Sequence, residues 1–243
     1  MFCSSFMQST TANKLAGLTE DQWGLVTRRQ AEAAGVSAAT LQRLSGPGGV
    51  LERTAPGVYH LAGAPPPPHL GLRSAWLTLA PGTPAWKRKP AQGTVSHRSA
   101  AALWGLGDLA PDRHDFTLPK RRQTRQLSIR LHRGRLGAGE TEILGGLPVT
   151  SPARTASDLL ADKEDPEAVA RVVAEALREK KEWAGNLPSA LAPRAAGIGF
   201  RRNDWRAALA WLLDLSGDPE PERWLEEAET KSTDITPPGL GAA

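Results

Sequence analysis

The stretch Thr27 to Leu44, TRRQAEAAGVSAATLQRL, sets two short helical patterns on either side of a single glycine. With no residues left over for a loop, the two helices must cross closely, and that limits what the surrounding chain can build. Thr27 stands where a cap is needed, Gln30 three residues later completes the capping-box spacing, and Ala31 and Ala34 supply small inward residues. Gly35 ends the first helix, because a left-handed backbone at a helix C-terminus costs least without a Cβ. Val36 plugs the junction, and Ser37 caps a second helix over 38–44 whose inward residues Leu41 and Leu44 are spaced i, i+3. Ala39, Thr40, Gln42 and Arg43 are left facing solvent. The pattern is that of a helix-turn-helix. Gln30 departs from it, standing where an aliphatic residue is usual, and Val26 is expected to fill that space.

An ordinary helical hairpin fits these eighteen residues equally well; the segment after them separates the two readings. Beyond GPGG at 46–49, VLERTAPGVYHL alternates as two short strands, 50–54 and 57–61, around Ala55-Pro56-Gly57. A hairpin at this place is a wing. In a winged helix-turn-helix the second helix enters the major groove, and the wing follows the backbone or minor groove. Ser37, Ala39, Thr40, Gln42 and Arg43 are then the residues expected at base edges, arginine favouring guanine and glutamine adenine. Arg28 and Arg29 on the first helix, with Arg53 and His60 on the wing, are expected at phosphates.

The rest of the chain divides by composition. Residues 1–14 read as a disordered leader, 15–63 as the winged domain, and APPPPHL at 64–70 as a stiff proline-rich linker. Residues 71–217 read as a mixed α+β domain, and 218–243 as a polar helix followed by a disordered tail. Within the second domain, TVSHRSAAALWGL runs from a strand into a helix capped by Ser96. HDFTLP and LSIRLHR alternate as strands, and ETEILGGLPVT is a hairpin with a Gly-Gly turn. SPARTASDLLA, DPEAVARVVAEALREKK and NDWRAALAWLLDL are amphipathic helices. The fold class expected is α+β, an N-terminal winged helix-turn-helix followed by a mixed C-terminal domain.

The formal charge of +4 hides an asymmetry. Residues 1–61 carry 5 basic against 4 acidic residues, a net of only +1, whereas residues 62–135 carry 13 against 3, a net of +10. Lys87, Arg88, Lys89, Lys120, Arg121, Arg122 and Arg125 are expected to form a positive face that either continues a DNA contact or touches a partner protein. The low charge of the first 61 residues favours a rival reading, a protein-interaction module that uses the winged fold without DNA.

Catalytic and metal signatures are weak. Cys3 is the only cysteine, and the five histidines lack ligand spacing, so no metal or cofactor is expected. Glu229-Thr230-Lys231 has the letters of a nuclease E-x-K, with Asp214 or Asp218 upstream, but WLEEAETKS lacks the character of a buried strand. Adjacent Ser96 and His97 do not make a triad, which is a spatial arrangement. No apolar run is long enough for a membrane span and no signal peptide is evident, so a cytoplasmic non-enzyme is expected.

Three blocks, RTAPGVYHL, VSHRSAAALWGL and ILGGLPVTSPARTASDLL, together resemble the AbiEi family of abortive-infection antitoxins in the form common in high-GC Gram-positive bacteria. The resemblance runs from about Leu15 to Leu215. It implies a winged helix that binds inverted repeats of operator DNA and represses its own operon. It also implies a C-terminal domain that counters a nucleotidyltransferase-like toxin, although no motif here pins individual antitoxin residues. Many similar chains continue into a Vsr-like endonuclease domain where this one, after about 215, has only a short polar segment; a truncated relative of those fusions is the further alternative.

Overall fold

The computed structural model describes residues 15–232; the expected leader, 1–14, and the tail beyond Ser232 lie outside the described residues. Residues 15–19 form a helical turn (α1), followed by a 3-10 turn at Glu20–Gln22. The helical path ends here, because Trp23 and Gly24 both take positive φ. Leu25–Thr27 leave that corner as a strand, β1, with all three residues buried. The helix-turn-helix follows as α2 (Arg28–Ala33) and α3 (Ala38–Leu44), and the wing as β2 (Leu51–Ala55) and β3 (Val58–Leu61).

β3 lies between β1 and β2 and is antiparallel to both, with Val26 opposite Tyr59 and Glu52 opposite His60. The wing hairpin is thus two strands of a three-stranded sheet. Leu15, Val26, Ala31, Val36, Leu41 and Leu51 form the core that joins it to the helices. Gly49 sits where the chain leaves α3 for β2. A Cβ there would lie 2.0 Å from the Leu44 carbonyl oxygen, so no side chain fits without moving backbone.

α4 (Leu70–Leu79) packs on β1, β2 and β3, burying Leu72, Ala75, Trp76, Leu77 and Leu79. The proline run is therefore not the expected domain boundary. The apolar face of α4 needs cover and finds it on the wing sheet, so the first compact unit extends to Thr94 and also includes Phe116–Arg135 and Ile143–Pro148.

The remaining strands are β4 (Thr94–Val95), β5 (His114–Leu118), β6 (Ile129–Arg133), β7 (Thr141–Leu144) and β8 (Leu147–Thr150). They form a sheet of order β6-β5-β4-β8-β7 in which β4 runs parallel to β8 through Val95 and Val149. Gly145 and Gly146 make the expected β7–β8 turn, both at positive φ.

The second unit comprises Val95–Asp115, Leu136–Glu142 and the chain from Val149. Its helices are α5 (His97–Trp104), α6 (Pro152–Ala161), α7 (Pro166–Arg178), α8 (Leu187–Leu191), α9 (Trp205–Leu215) and α10 (Pro221–Ser232). Ser151 caps α6 through the Arg154 amide, and Asp165 caps α7 through Glu167. Ser96, expected to cap α5, makes no side-chain cap bond; its Oγ lies 2.9 Å from His97 Nδ1 instead. α10 is more than the expected polar helix. Trp224, Leu225 and Ala228 enter the helical core, and the Trp224 indole donates to buried Asp218 at 3.1 Å.

The tight fit at Gly49 is strict enough to test. Gly49→Ala is expected to destabilise the chain by about 1–3 kcal/mol, seen as an earlier chemical-denaturation midpoint, because the new Cβ overlaps a carbonyl and not a movable side-chain end.

Candidate nucleic-acid interface

The turn between α2 and α3 is closed by backbone bonds. Val36 N donates to Ala31 O at 2.9 Å and Gly35 N to Glu32 O at 3.0 Å, the paired bonds of a Schellman ending, with Gly35 at φ +82°. α3 then starts at once. Ser37 Oγ accepts from Thr40 N at 3.2 Å and lies 2.9 Å from Thr40 Oγ1. Leu41 is buried and Leu44 packs partly against the same core.

The opposite side of α3 is open. Ser37, Ala39, Gln42 and Arg43 are exposed and Thr40 half-buried, so the residues expected at base edges share a solvent-facing side. α3 therefore offers a guanidinium, an amide and small side chains, a set able to match donors and acceptors on base edges.

Arg28 and Arg29 are exposed at the start of α2. Arg28 Nε donates to Glu32 at 2.7 Å, and its backbone N donates to Gly57 O in the wing turn at 2.8 Å, so the start of α2 and the tip of the hairpin are fixed to each other. Arg53 is exposed on β2. His60 is not available as expected: its side is the covered face of β3, it is only 3% exposed, and Gly24 backs onto its ring. Strand alternation allowed either face for His60; Tyr59 and Leu61 pack on the helical core, and the opposite face, which carries Val58 and His60, is buried as well.

The basic segments are held differently from one another. Lys87, Lys89, Lys120, Arg121 and Arg125 are exposed. Arg122 is exposed too, though its Nη1 donates to Leu79 O at 2.5 Å. Arg88 corrects the expectation of a uniformly basic loop. Its guanidinium lies 4.2 Å from the centre of the Trp76 ring and donates to the carbonyls of Trp76, Leu77 and Ala80 at the end of α4. Burial away from solvent pushes its pKa down to about 10, which still leaves it charged at neutral pH. It is a helix cap that happens to be basic.

Gln30, the departure from the usual pattern, is explained by Gln22. The two buried amides bond each other reciprocally, Gln22 Nε2 to Gln30 Oε1 at 2.8 Å and Gln30 Nε2 to Gln22 Oε1 at 3.0 Å. Gln30 Oε1 also accepts from Thr27 N at 2.9 Å, completing the capping box. Val26 is buried in the core, but it is this amide pair that occupies the place in question. The signal was in the sequence as a polar residue at an inward position; its partner eight residues earlier was not.

The groups weighed for catalysis sit poorly for it. Ser96 is fully buried, and the His97 ring Nε2 lies 3.9 Å from Asp162. Glu229 is on α10, a helix and not a strand, and pairs with Arg206 at 3.2 Å. No described helix is long and apolar enough to cross a membrane.

A helix with a polar outer side, braced through a one-glycine turn and followed by a hairpin, defines a winged helix-turn-helix regulator, here joined to a mixed α+β domain. Residues 13–62 match the family described as "Transcriptional regulator, AbiEi antitoxin", and residues 93–215, just over half of the chain, match "AbiEi antitoxin C-terminal domain". The chain belongs to the AbiEi antitoxin family, and its role is that of an antitoxin and regulator. The fold is similar to the crystal structure of the RV2827C protein from Mycobacterium tuberculosis, with a TM-score of 0.52 and 19% identity over 90% of this chain and 81% of that one. No curated protein matches.

The cap of α3 gives a direct check on this geometry. Ser37→Ala is expected to lower stability by about 1 kcal/mol in urea denaturation, because the Thr40 amide loses its side-chain acceptor.

Proposed function

We propose that the chain binds duplex operator DNA through α3, represses its own operon at inverted repeats, and counters a nucleotidyltransferase-like toxin through its C-terminal domain. The observation that carries the DNA reading is the division of α3: Leu41 is buried, while Ala39, Gln42 and Arg43 are exposed beside the capping Ser37 and Thr40. In this reading Arg43 pairs with guanine and Gln42 with adenine in the major groove. Arg28, Arg29 and Arg53 take phosphates on either side. What supports the repeats, autorepression and toxin in this reading is the family likeness and no single residue.

The modest charge of the first 61 residues, which favoured a pure docking module, is offset within the same compact unit. Lys87, Lys89, Lys120, Arg121, Arg122 and Arg125 all belong to the unit that carries the winged helix, and they supply the attraction that residues 1–61 lack. Contact with the toxin remains the other use for this face.

Duplexes recovered from a random pool by the full chain test the reading. Arg43→Ala is expected to cost about 1–3 kcal/mol of binding and to relax preference at one base pair. Unchanged affinity and preference would remove α3 from the groove. Neutralising Lys87, Lys89, Lys120, Arg121 and Arg125 together is expected to flatten the dependence of log K on log salt, by about 0.9 for every phosphate no longer neutralised. An unchanged slope would take this face off the DNA. Co-expression with a neighbouring nucleotidyltransferase-like protein tests the antitoxin half, with restored growth expected and unrelieved toxicity contradicting it.

A further inference from the structure

We propose that the loop over residues 81–88 is a clamp that fixes the orientation of the recognition helix, with Gln22, Gln30 and Arg88 as positioning residues for DNA binding. The inference rests on the reading of α3 as the helix that enters the groove. It concerns residues that touch no DNA.

The clamp has two jaws that meet on one peptide unit. On the helix side, Thr27 Oγ1 donates to Pro81 O, Gln30 Nε2 donates to Thr83 O at 3.3 Å, and Ala85 N donates to Gln22 Oε1 at 2.9 Å. On the other side, Arg88 Nε donates to the same Thr83 carbonyl at 3.2 Å. The rest of the Arg88 fork holds the end of α4, Nη1 on Trp76 O at 2.5 Å and Nη2 on Leu77 O and Ala80 O, both at 2.7 Å. The Thr83 carbonyl therefore accepts from the brace helix and from the clamp together, which its two lone pairs allow. Trp76, under the Arg88 guanidinium, is fixed in turn by its indole donating to Gly93 O at 2.6 Å.

Six residues of α2 and seven of α3 are too few to hold a helix pair in place by their own hydrogen bonds. Their orientation has to come from the groups that grip them. α3 is tied to α2 through the Gly35 turn, and α2 is tied through Thr27, Gln30 and Gln22 to the loop. Loosening the loop releases α2 and, with it, the angle at which Gln42 and Arg43 are presented. Arginine is required at 88 because a lysine keeps the charge but cannot reach four carbonyls in fork geometry.

This separates Arg88 from its basic neighbours by a measurable sign. Removing a group that neutralises a phosphate weakens binding and flattens the salt dependence together, whereas removing a positioning group weakens binding at an unchanged slope. The full chain, titrated with its own selected duplex at several salt concentrations, distinguishes them. Arg88→Lys and Arg88→Met are both expected to weaken binding about tenfold with the wild-type salt slope. Hydrogen exchange of the Val36 and Leu41 amides is expected to quicken in both. The double variant Gln22→Leu with Gln30→Leu also strips the Thr27 and Ala85 amides and the Leu25 and Thr83 carbonyls of these partners, so the melting temperature is expected to fall while affinity falls at the wild-type salt slope, as in the Arg88 variants.

Wild-type affinity and exchange in Arg88→Lys and the double variant would overturn the clamp. A slope reduced by about 0.9 in Arg88→Met, with exchange unchanged, would overturn it by placing Arg88 on a phosphate. A wild-type chain that recovers no duplex would instead overturn the DNA reading and the affinity effect that rests on it. The exchange measurement then still judges the grip on α2 and α3, upheld by lost protection and refuted by unchanged protection.

Discussion

Two buried glutamine amides face each other beneath the helix-turn-helix, and the unusual features of this regulator stem largely from the need to satisfy them. An unpaired buried amide is costly, so every polar atom that Gln22 and Gln30 bring inside has to find a partner. They find each other, the Thr27 and Ala85 amides, the Leu25 carbonyl and the Thr83 carbonyl. Two of those partners lie beyond the proline run. The winged domain therefore takes its internal support from residues that a composition-based boundary places outside it, and α4 covers the wing sheet from the same side of that boundary. The family matches end at residue 62 and resume at 93, and the segment between them, far from being a spacer, supplies α4 and the loop that grips the brace helix.

Basic residues close together in sequence have different fates here. Lys87 and Lys89 face solvent, while Arg88 between them is turned inward over Trp76. Arg122 divides its role, exposed yet bonded to the last carbonyl of α4. The carboxyl end of a helix concentrates unmatched acceptors, and a planar guanidinium answers several at once. A charge count finds the polyanion-seeking character of this region, but it assigns too many residues to it.

The features legible in the sequence were those set by local rules. Gly35 and Ser37 mark a turn and a cap that need only a few neighbouring residues to be satisfied, and the wing shows itself by alternation. β1 was not legible, because three consecutive buried residues have no alternation to display and the corner that creates it depends on positive φ at Trp23 as well as Gly24. His60 was misplaced because alternation marks two faces of a strand without saying that both are covered: Tyr59 and Leu61 pack on the helical core, and Val58 and His60 are buried on the other side. Ser96 illustrates a competing local choice, its hydroxyl taken by His97 and not by the helix it precedes. α10 read as polar because, among its described residues, Trp224, Leu225 and Ala228 alone enter the core, a stripe too narrow to dominate a charged helix.

The central claim is that α3 enters the major groove. Dimethyl sulfate probing of a selected duplex bound to the full chain tests it most directly, since the reagent marks guanine N7 in the major groove and adenine N3 in the minor groove. Protection of guanine N7 within the recovered motif is the expected result. Retention of the duplex with protection at adenine N3 alone would contradict the account, because binding would then proceed without the helix that the rest of the first unit is built to hold.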